Sequence, residues 1–543
     1  MYYDMQEKYA ISVQRLHKQD CTSYDRCGSP CNGLYPVRKI FSRMKLLLVI
    51  LLLAIAGNGK AQAQPQPQAQ PGVLFLSLDK VIEIASQQSL DAFRNRNMYL
   101  ASYWEFKNFR SDNLPKLSLQ ATPLDFNRSM QKVYNFDLNR DEYRPREFLN
   151  SDLALLLNQN VGLTGGTIFT RSELNLTKNL GGENPTQWNS TPVSIGYSQS
   201  LNGYNSLKWR SKIEPVKYEK AKQEYIQSKE DLAIKATRRF FDLVDAQIEV
   251  SISRTNLANA DTLYRIGMGR YQVGTVTQDE LLNLELGYMN ARLALQRANL
   301  GLERTRADLN SFLGFDKGTK IECIIPDQLP ELKISPDKAL DYALKYNPDI
   351  INHQQRLLEE DRRVRQAEAQ SGINAELYAL YGLNQNAEKL ADAYSDPLER
   401  QRVRVGLNIP ILDWGTRKGQ LSMARSNREV LRISVNQERI DFEQNVIMNV
   451  MEFNIQEEQV QNTAKADTIA RMGYEVTMQR FLIGKLDVTK LNLARNDQEQ
   501  ARRAYIRALR SYWSYYYTLR QLTLFDFENE ITLSEDFERL LNN

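Results

Sequence analysis

Two stretches of the 543-residue chain look like copies of each other, separated by 210 residues. Residues 264–313 and 474–523 align without a gap, and each reads as a helical segment, a short turn with one glycine, and a second helical segment. A duplication of this size predicts one architecture built twice rather than a series of unrelated domains. The residues that coincide at the two turns are Arg270 with Arg480, Tyr271 with Phe481, and Gly274 with Gly484.

The N-terminal region has the pattern of a secretory signal. Residues 46–56 are an apolar run of eleven, preceded by Arg43 and Lys45 and followed by the small residues of 61–63. The run is too short to span a bilayer as a helix. Met44 immediately precedes it, so we expect translation to start there and cleavage to follow residue 63. The alternative is that residues 1–43 are translated as a cytoplasmic leader.

Removal of this leader changes the charge of the chain. The formal net charge is +4, but residues 1–63 hold nine Lys and Arg and four Asp and Glu. The rest has 61 basic and 62 acidic residues, which gives no signal for nucleic-acid binding. Cys323 and His353 are the single cysteine and histidine that remain, and His353 is expected to be a solvated surface residue. We predict no metal site, no cofactor and no enzymatic activity, because phosphate-loop and nucleophile motifs and metal-ligand spacings are missing from the sequence.

The hydrophobic pattern of the first half alternates between the helical and the strand period. A coiled-coil seam with steps of three and four residues runs through 205–269, and a second one lies in the return helix at Leu282, Leu286, Met289 and Leu293. The predicted helices are 78–112, 205–269 and 277–313, and the predicted matched strands are 117–121 and 193–201.

Between these two strands the first half carries 48 extra residues. Residues 152–163 and 167–177 flank Gly165-Gly166, which is a credible hairpin turn. The sequence leaves open whether this hairpin adds strands to a barrel or extends an extracellular loop.

The second half repeats the plan with fewer residues. The predicted helices are 336–370, 413–478 and 488–521, and the predicted strands are 375–383 and 403–411. The resulting domain boundaries are an upstream extension with signal peptide at 1–63, a Pro/Gln linker at 64–73, a first repeat at 74–313, an equatorial linker at 314–335, a second repeat at 336–523 and a C-terminal tail at 524–543.

The lengths of these elements indicate a membrane duct. A 65-residue helix is roughly 95 Å long, which is too long for one globular core and needs neighbouring rods. Four strands of about nine residues are long enough to cross a bilayer, but about eight strands are needed to close a barrel. Open sheet edges are not tolerated in lipid, so several chains would have to share one barrel. The predicted fold class is mainly α with a β-barrel portion, internally duplicated as strand–strand–helix–turn–helix.

At this point the sequence resembles the outer-membrane efflux protein family, the TolC-like exit ducts. The likeness rests on RYxxG at 270–274, RFxxG at 480–484, the Ala-rich return helices behind them, and the segments 206–210 and 410–415 that follow two strands. The resemblance implies a homotrimer with a twelve-stranded outer-membrane barrel that continues into a periplasmic α-helical tunnel. The implied partners are outer-membrane lipid, a periplasmic adaptor protein and an inner-membrane pump of the RND or ABC type.

The resemblance also assigns roles to the two turns. The turns would dock onto the adaptor through Arg270, Tyr271, Gly274, Arg480, Phe481 and Gly484. Some family members narrow the closed tip with acids held by a Tyr and an Arg, but Phe481 and Leu486 occupy those two positions here. The residues available for a periplasmic constriction are Asp279, Glu280, Asp487 and Lys490, and the first two equally fit acids that favour a helix N-terminus.

The predicted function is a passive exit duct of a tripartite efflux or type I secretion system, with the cargo and the pump class left open. The main alternative is a secreted structural coiled coil or trimeric adhesin, which would explain the rods but not the paired strands. A periplasmic adaptor would have one helical hairpin rather than two.

Overall fold

The computed structural model describes residues 73–135, 139–180, 186–316, 318–326, 329–483, 485–486 and 488–542. Residues 1–72, which hold Met44, the predicted signal and nearly all of the predicted linker, lie outside these ranges. Gly484 and Asp487, two of the predicted site residues, lie outside them as well.

The described elements fall into two series. The first is β1 (Leu74–Leu76), α1 (Leu78–Gln88), α2 (Leu90–Asp112), β2 (Lys116–Asn135), β3 (Arg140–Val161), β4 (Gly166–Asn179), β5 (Thr186–Ser200), α3 (Ser206–Gln272) and α4 (Gln278–Leu313). The second is β6 (Ile321–Cys323), α5 (Pro336–Tyr346), α6 (Pro348–Ser371), β7 (Asn374–Ala387), β8 (Leu398–Asn408), α7 (Thr416–Leu482) and α8 (Val488–Thr523), followed by β9 (Phe525–Asp526), β10 (Ile531–Thr532) and α9 (Phe537–Asn542).

The long helices follow the repeat that the sequence predicts. α3 and α7 each have 67 residues, and the return helices α4 and α8 each have 36. Both pairs begin 210 residues apart. At about 1.5 Å per residue, α3 and α7 are rods of about 100 Å.

The opening helix of each half is broken, whereas the sequence predicted one continuous helix in each. In the first half Ser89 separates α1 from α2, and its Oγ accepts a hydrogen bond from the N–H of Ala92. In the second half Asn347 and Pro348 separate α5 from α6, because proline at the first helical position starts a new helix. The Asn347 side chain accepts a bond from Asp349 N and donates one to Leu522 O, both 2.8 Å long. The breaks are therefore built by capping side chains.

The main core lies where the short helices meet the middle of the rods. β1 pairs in parallel with β6, and α1 and α5 pack against α3 and α7. The aromatic side chains of α8 pack between the rods, since Tyr512, Trp513, Tyr516 and Tyr517 are all buried in this core.

The C-terminal tail packs against the rest of the chain. Phe525 and Phe527 are buried, and the ring of Phe537 lies 5.0 Å from that of Tyr99. Ion pairs of Lys338 with Glu530 and of Lys229 with Glu535 tie the tail to α5 and α3. The tail therefore forms part of the main core at the middle of the rods.

A single antiparallel sheet occupies the end of the rods opposite the two turns. Its six strands have the order β2-β3-β4-β5-β7-β8. The resemblance implied four strands per chain, and the sequence left the status of 152–177 open. The structure places both strands of that hairpin, β3 and β4, inside the sheet between the two strands of the first half.

Several strand bounds differ from the sequence expectation. β2 has 20 residues and β3 has 22, far longer than the predicted 117–121 and 152–163, because they pair with each other beyond the end of β4. β8 ends at Asn408, so Ile409 and Ile411 lie outside the strand. Pro410 has no N–H to donate to a ladder, which fits the earlier end.

Candidate functional site

The first of the two turns closes the hairpin of α3 and α4. Its chain reverses at Gly274, whose φ of +74° is a conformation that side chains disfavour. The N–H of Gly274 donates to Tyr271 O (3.0 Å), and the N–H of Thr275 donates to Arg270 O (2.9 Å). Nothing lies within 4 Å of where a Cβ of Gly274 would be. Glycine is therefore favoured here by the backbone conformation, and the space beside its Cα is open.

The predicted acids of this turn cap the following helix. The N–H of Thr277 donates to Glu280 Oε2 (3.1 Å). A hydrogen bond from the Thr277 side chain holds the pKa of Asp279 below its ordinary value. Both acids have a structural role at the positive end of α4.

The second turn, between α7 and α8, has one backbone hydrogen bond that matches a bond of the first turn. The N–H of Lys485 donates to Arg480 O at 2.9 Å, which is the counterpart of the Thr275 bond shifted by 210 residues. The aligned aromatic residues differ, because Phe481 is buried and Tyr271 is exposed. Arg480 and Lys490 are also exposed.

A polar network that the sequence did not predict joins the two hairpins. Asn259 Nδ2 donates to the hydroxyl of Tyr474 (2.6 Å), and Asn256 Nδ2 donates to Glu499 Oε1 (2.7 Å). Burial raises the pKa of Tyr474, so its hydroxyl keeps its proton. These contacts line a cavity of about 400 Å³ near the turns. Polar asparagines at a helix–helix contact, three residues apart, are the signal that could have identified them.

His353 was expected to be solvated, but it is largely buried. Its Nε2 lies 3.0 Å from Glu438 Oε2, beside the Arg356–Glu438 pair that joins α6 to α7. Hydrogen bonding by Arg356 lowers the pKa of Glu438. In the described part of the chain, no group of three or more His, Cys, Asp and Glu side chains is placed to hold a metal ion.

The two faces of the sheet differ sharply in chemistry. The register places Leu117 opposite Leu157, Thr170 opposite Ile195, and Tyr197 opposite Ala379, which in turn faces Val403. This apolar face continues through Leu119, Leu155, Leu153, Ile168, Leu377, Val405 and Leu407. The residues between them form a second face that contains Ser118, Gln120, Asn158, Thr167, Arg171, Ser198, Glu376 and Arg404. Alternation of this kind is typical of a sheet with lipid on one side and water on the other.

The described part of the chain has two lateral edges, each formed by an outer strand of the sheet and an outer rod. β2 and β8 are the outer strands of the sheet, and near the turns the rods lie in the order α4, α3, α8, α7. The predicted seam of α4 is not packed within the chain, since Leu282, Leu286, Met289 and Leu293 are 50–57% exposed. On the other edge α7 exposes Met448, Met451, Ile455, Ile469, Met472 and Val476. Both stripes follow coiled-coil spacing.

None of the helices in the described ranges has a stretch that combines the length and the hydrophobicity needed to span a membrane.

Comparison with known proteins agrees with this geometry. Residues 339–523 match the family model described as "Outer membrane efflux protein", and this range lies within the predicted second repeat, 336–523. No curated protein matches the chain.

Solved structures of outer-membrane channels share the fold. CmeC of Campylobacter jejuni aligns with a TM-score of 0.62 at 16% identity, over 86% of this chain and 88% of CmeC. VceC of Vibrio cholerae aligns with a TM-score of 0.56 at 14% identity, over 82% of this chain and 95% of VceC. The open state of MtrE of Neisseria gonorrhoeae aligns with a TM-score of 0.53 at 14% identity, over 84% of this chain and 90% of MtrE. At these identities the likeness establishes the fold alone. The resemblance found in the sequence is confirmed, and an outer-membrane location agrees with both kinds of match.

Proposed function

We propose, from the match of residues 339–523 to outer membrane efflux proteins and the shared channel fold, that this protein is an outer-membrane exit duct. It serves a tripartite efflux or type I secretion system and conducts cargo passively, with no catalytic step of its own. The main observation behind the proposal is that one chain combines a sheet that has one apolar face with rods of about 100 Å. The sheet lies in the outer membrane and the rods cross the periplasm.

The working unit in this proposal is a homotrimer. The stripe of α4 lies near the start of that helix, and Ile469, Met472 and Val476 lie near the end of α7, so both are close to the turns. Two stripes at the same height on opposite edges fit a head-to-tail contact between copies, and such contacts close into rings. Burying them removes the apolar surface that a single chain exposes.

The same arrangement closes the barrel with eighteen strands rather than the twelve that the resemblance implies. Every neighbouring pair in the six-stranded sheet is antiparallel, so β2 and β8 run in opposite directions. The β8 edge of one copy can therefore pair with the β2 edge of the next, and no edge remains in lipid. Barrels of 16–18 strands leave an aqueous channel, so this barrel is porin-like in width.

The secreted coiled coil is the weaker alternative. It explains the rods, but it needs no sheet with an apolar outer face, and the family match adds weight to the duct. A conductance measurement separates the two. In a planar lipid bilayer the purified protein is expected to insert and give discrete conductance steps, whereas a soluble particle without conductance would contradict the duct.

The proposed partners at the periplasmic end are an adaptor protein and, through it, an inner-membrane RND or ABC pump. The adaptor docks on the two turns through Arg270, Tyr271 and Gly274 and through Arg480, Phe481 and Gly484. The first turn and Arg480 present exposed surface, which supports this assignment, whereas the buried Phe481 would hold the second turn in shape rather than touch the adaptor. Asp279, Glu280, Asp487 and Lys490 are proposed to surround the periplasmic opening. The capping bonds of the first two hold their carboxylates at the start of α4.

Gly274→Trp is expected to abolish export while the trimer still assembles. The turn is open to solvent, so the indole projects into the space that the adaptor needs. Gly274→Asn is the matched control, because asparagine tolerates positive φ and adds little bulk. Export is measured as dye efflux in a strain that lacks the native gene and is complemented with each variant. If the Trp variant exports dye as well as the wild type does, the docking role assigned to this turn is wrong.

A further inference from the structure

A column of three arginines runs along one edge strand of the sheet. Arg400 faces Gly382, Arg402 faces Leu380 and Arg404 faces Tyr378 in the register of β7 and β8. All three are exposed. Gln401 and Val403 lie between them, and Val403 belongs to the apolar face, so the three arginines lie on the polar face at successive positions along the strand.

No ion pair neutralises these charges in the part of the chain that the structure describes. Among the described residues, neither Arg400 nor Arg402 makes an ion pair, and Arg404 lies over the ring of Tyr378, 5.5 Å from its centroid. Another arginine of this face, Arg171, is paired with Glu173 at 3.1 Å. The column is therefore a local excess of positive charge, and guanidinium groups keep that charge at all working pH values.

A neighbouring copy would not neutralise the column either. In the proposed barrel, β8 meets β2 of the next copy. The polar face of β2 contributes Ser118, Gln120 and Thr122 beside β3, with one lysine, Lys116, before them and one acid, Asp125, after them. The seam between copies thus offers a single acid to three arginines, and the column keeps a net positive charge.

We propose that Arg400, Arg402 and Arg404 make the barrel interior selective for anions, so that this duct is suited to negatively charged cargo. The inference rests on the proposed function and adds the charge class of what passes. In the trimer, three columns line the wall at the membrane level, and fixed charges on a pore wall concentrate counter-ions. The pore is wide, so screening matters: the Debye length is about 10 Å at 0.1 M salt and about 30 Å at 0.01 M. Selectivity should therefore increase as salt is lowered.

The test is the reversal potential of single trimers in a planar bilayer under a KCl gradient, measured at high and low salt. The wild type is expected to favour chloride, and more strongly at low salt. Arg400→Gln/Arg402→Gln/Arg404→Gln should shift the reversal potential toward potassium selectivity. Arg400→Lys/Arg402→Lys/Arg404→Lys keeps the charge and should behave as the wild type. A matched control removes three positive charges from the part of the β2–β3 hairpin that extends past β4, with Arg128→Gln/Lys132→Gln/Arg146→Gln, and should leave the reversal potential unchanged.

The outcomes are distinguishable. A glutamine variant that conducts with the reversal potential of the wild type overturns the selectivity role and leaves the duct intact. An equal shift in the lysine variant would show that shape rather than charge is responsible, which also overturns it. Absence of conductance in the wild type would contradict the duct, and this inference with it.

Discussion

Replacing Arg520 with leucine is expected to lower the free energy of unfolding by about 3–5 kcal/mol, as is typical when one partner of a buried ion pair is removed. Arg520 on α8 donates two hydrogen bonds to Glu230 of α3 (2.9 and 3.2 Å) and one to Asp526 of the tail (2.7 Å). All three side chains are less than a fifth exposed. Leucine would leave two carboxylates buried side by side without a cation, at the point where both repeats and the tail meet.

Arg510→Leu is the matched control for this prediction. Arg510 lies on the same helix and pairs with Asp242 of the same partner helix at 2.8 Å, but that aspartate is 44% exposed. Exposed pairs contribute about 0.2–1 kcal/mol, so the control should unfold nearly as the wild type does. Denaturant unfolding followed by circular dichroism measures both. Equal stability of the two variants would show that the Arg520 cluster does not stabilise the core at the middle of the rods.

The cluster also gives a pH dependence with a definite sign. Burial alone would raise the pKa of Asp526, but hydrogen bonds from Asn529 and the charge of Arg520 outweigh it and hold the pKa below its ordinary value. A carboxyl whose pKa is depressed in the folded state contributes stability above its unfolded pKa of about 3.9 and loses it as the pH falls further. The wild type should therefore lose stability in acid, and Arg520→Leu should lose less.

The second large effect is expected at the exposed seam of α4. Leu286→Asp combined with Leu293→Asp should weaken association of the copies by at least about 100-fold, equivalent to about 2.8 kcal/mol. Both leucines are half-exposed in the single chain and face the next copy in the proposed trimer. Two carboxylates without partners would be buried at every seam, and the effective cost of each is several kcal/mol. Light scattering with the detergent mass subtracted would then report one chain per particle instead of three.

Arg297→Asp separates the seam from a general effect of acidic charge on α4. Arg297 is exposed on the same helix and flanks the stripe without belonging to its core positions, so an acid there stays at the solvated margin of the seam. This variant should stay trimeric. A double leucine variant that also stays trimeric would mean that the exposed stripe is not the contact between copies.

The sequence predicted the rods well because their signals are local and repeated. The 210-residue offset located both turns, and the seam of α3 predicted the buried Leu232, Phe240 and Leu243. The hydrophobic period of α4 was also correct, but a period does not say which neighbour covers it. In the structure that stripe is left uncovered by the chain itself.

The parts that the sequence did not predict depend on distant pairing or on single capping side chains. The full lengths of β2 and β3 come from pairing with each other, since their outer residues lack strict alternation of apolar side chains. The helix breaks rest on single side chains, Ser89 and Asn347. The link between Asn259 and Tyr474 joins residues 215 positions apart, and only the packed hairpins bring them together. The arginine column was hidden because its face is defined by the register of β7 and β8 rather than by a motif.

An electron cryo-microscopy map of the detergent-extracted protein would show directly whether the copies share one barrel. We expect three chains around one axis and a closed barrel of eighteen strands, with β8 of each chain hydrogen-bonded to β2 of the next and the rods continuing as a tunnel. A twelve-stranded barrel with β3 and β4 outside the wall would contradict the proposed pore. A particle whose sheet edges remain open would contradict the shared barrel altogether.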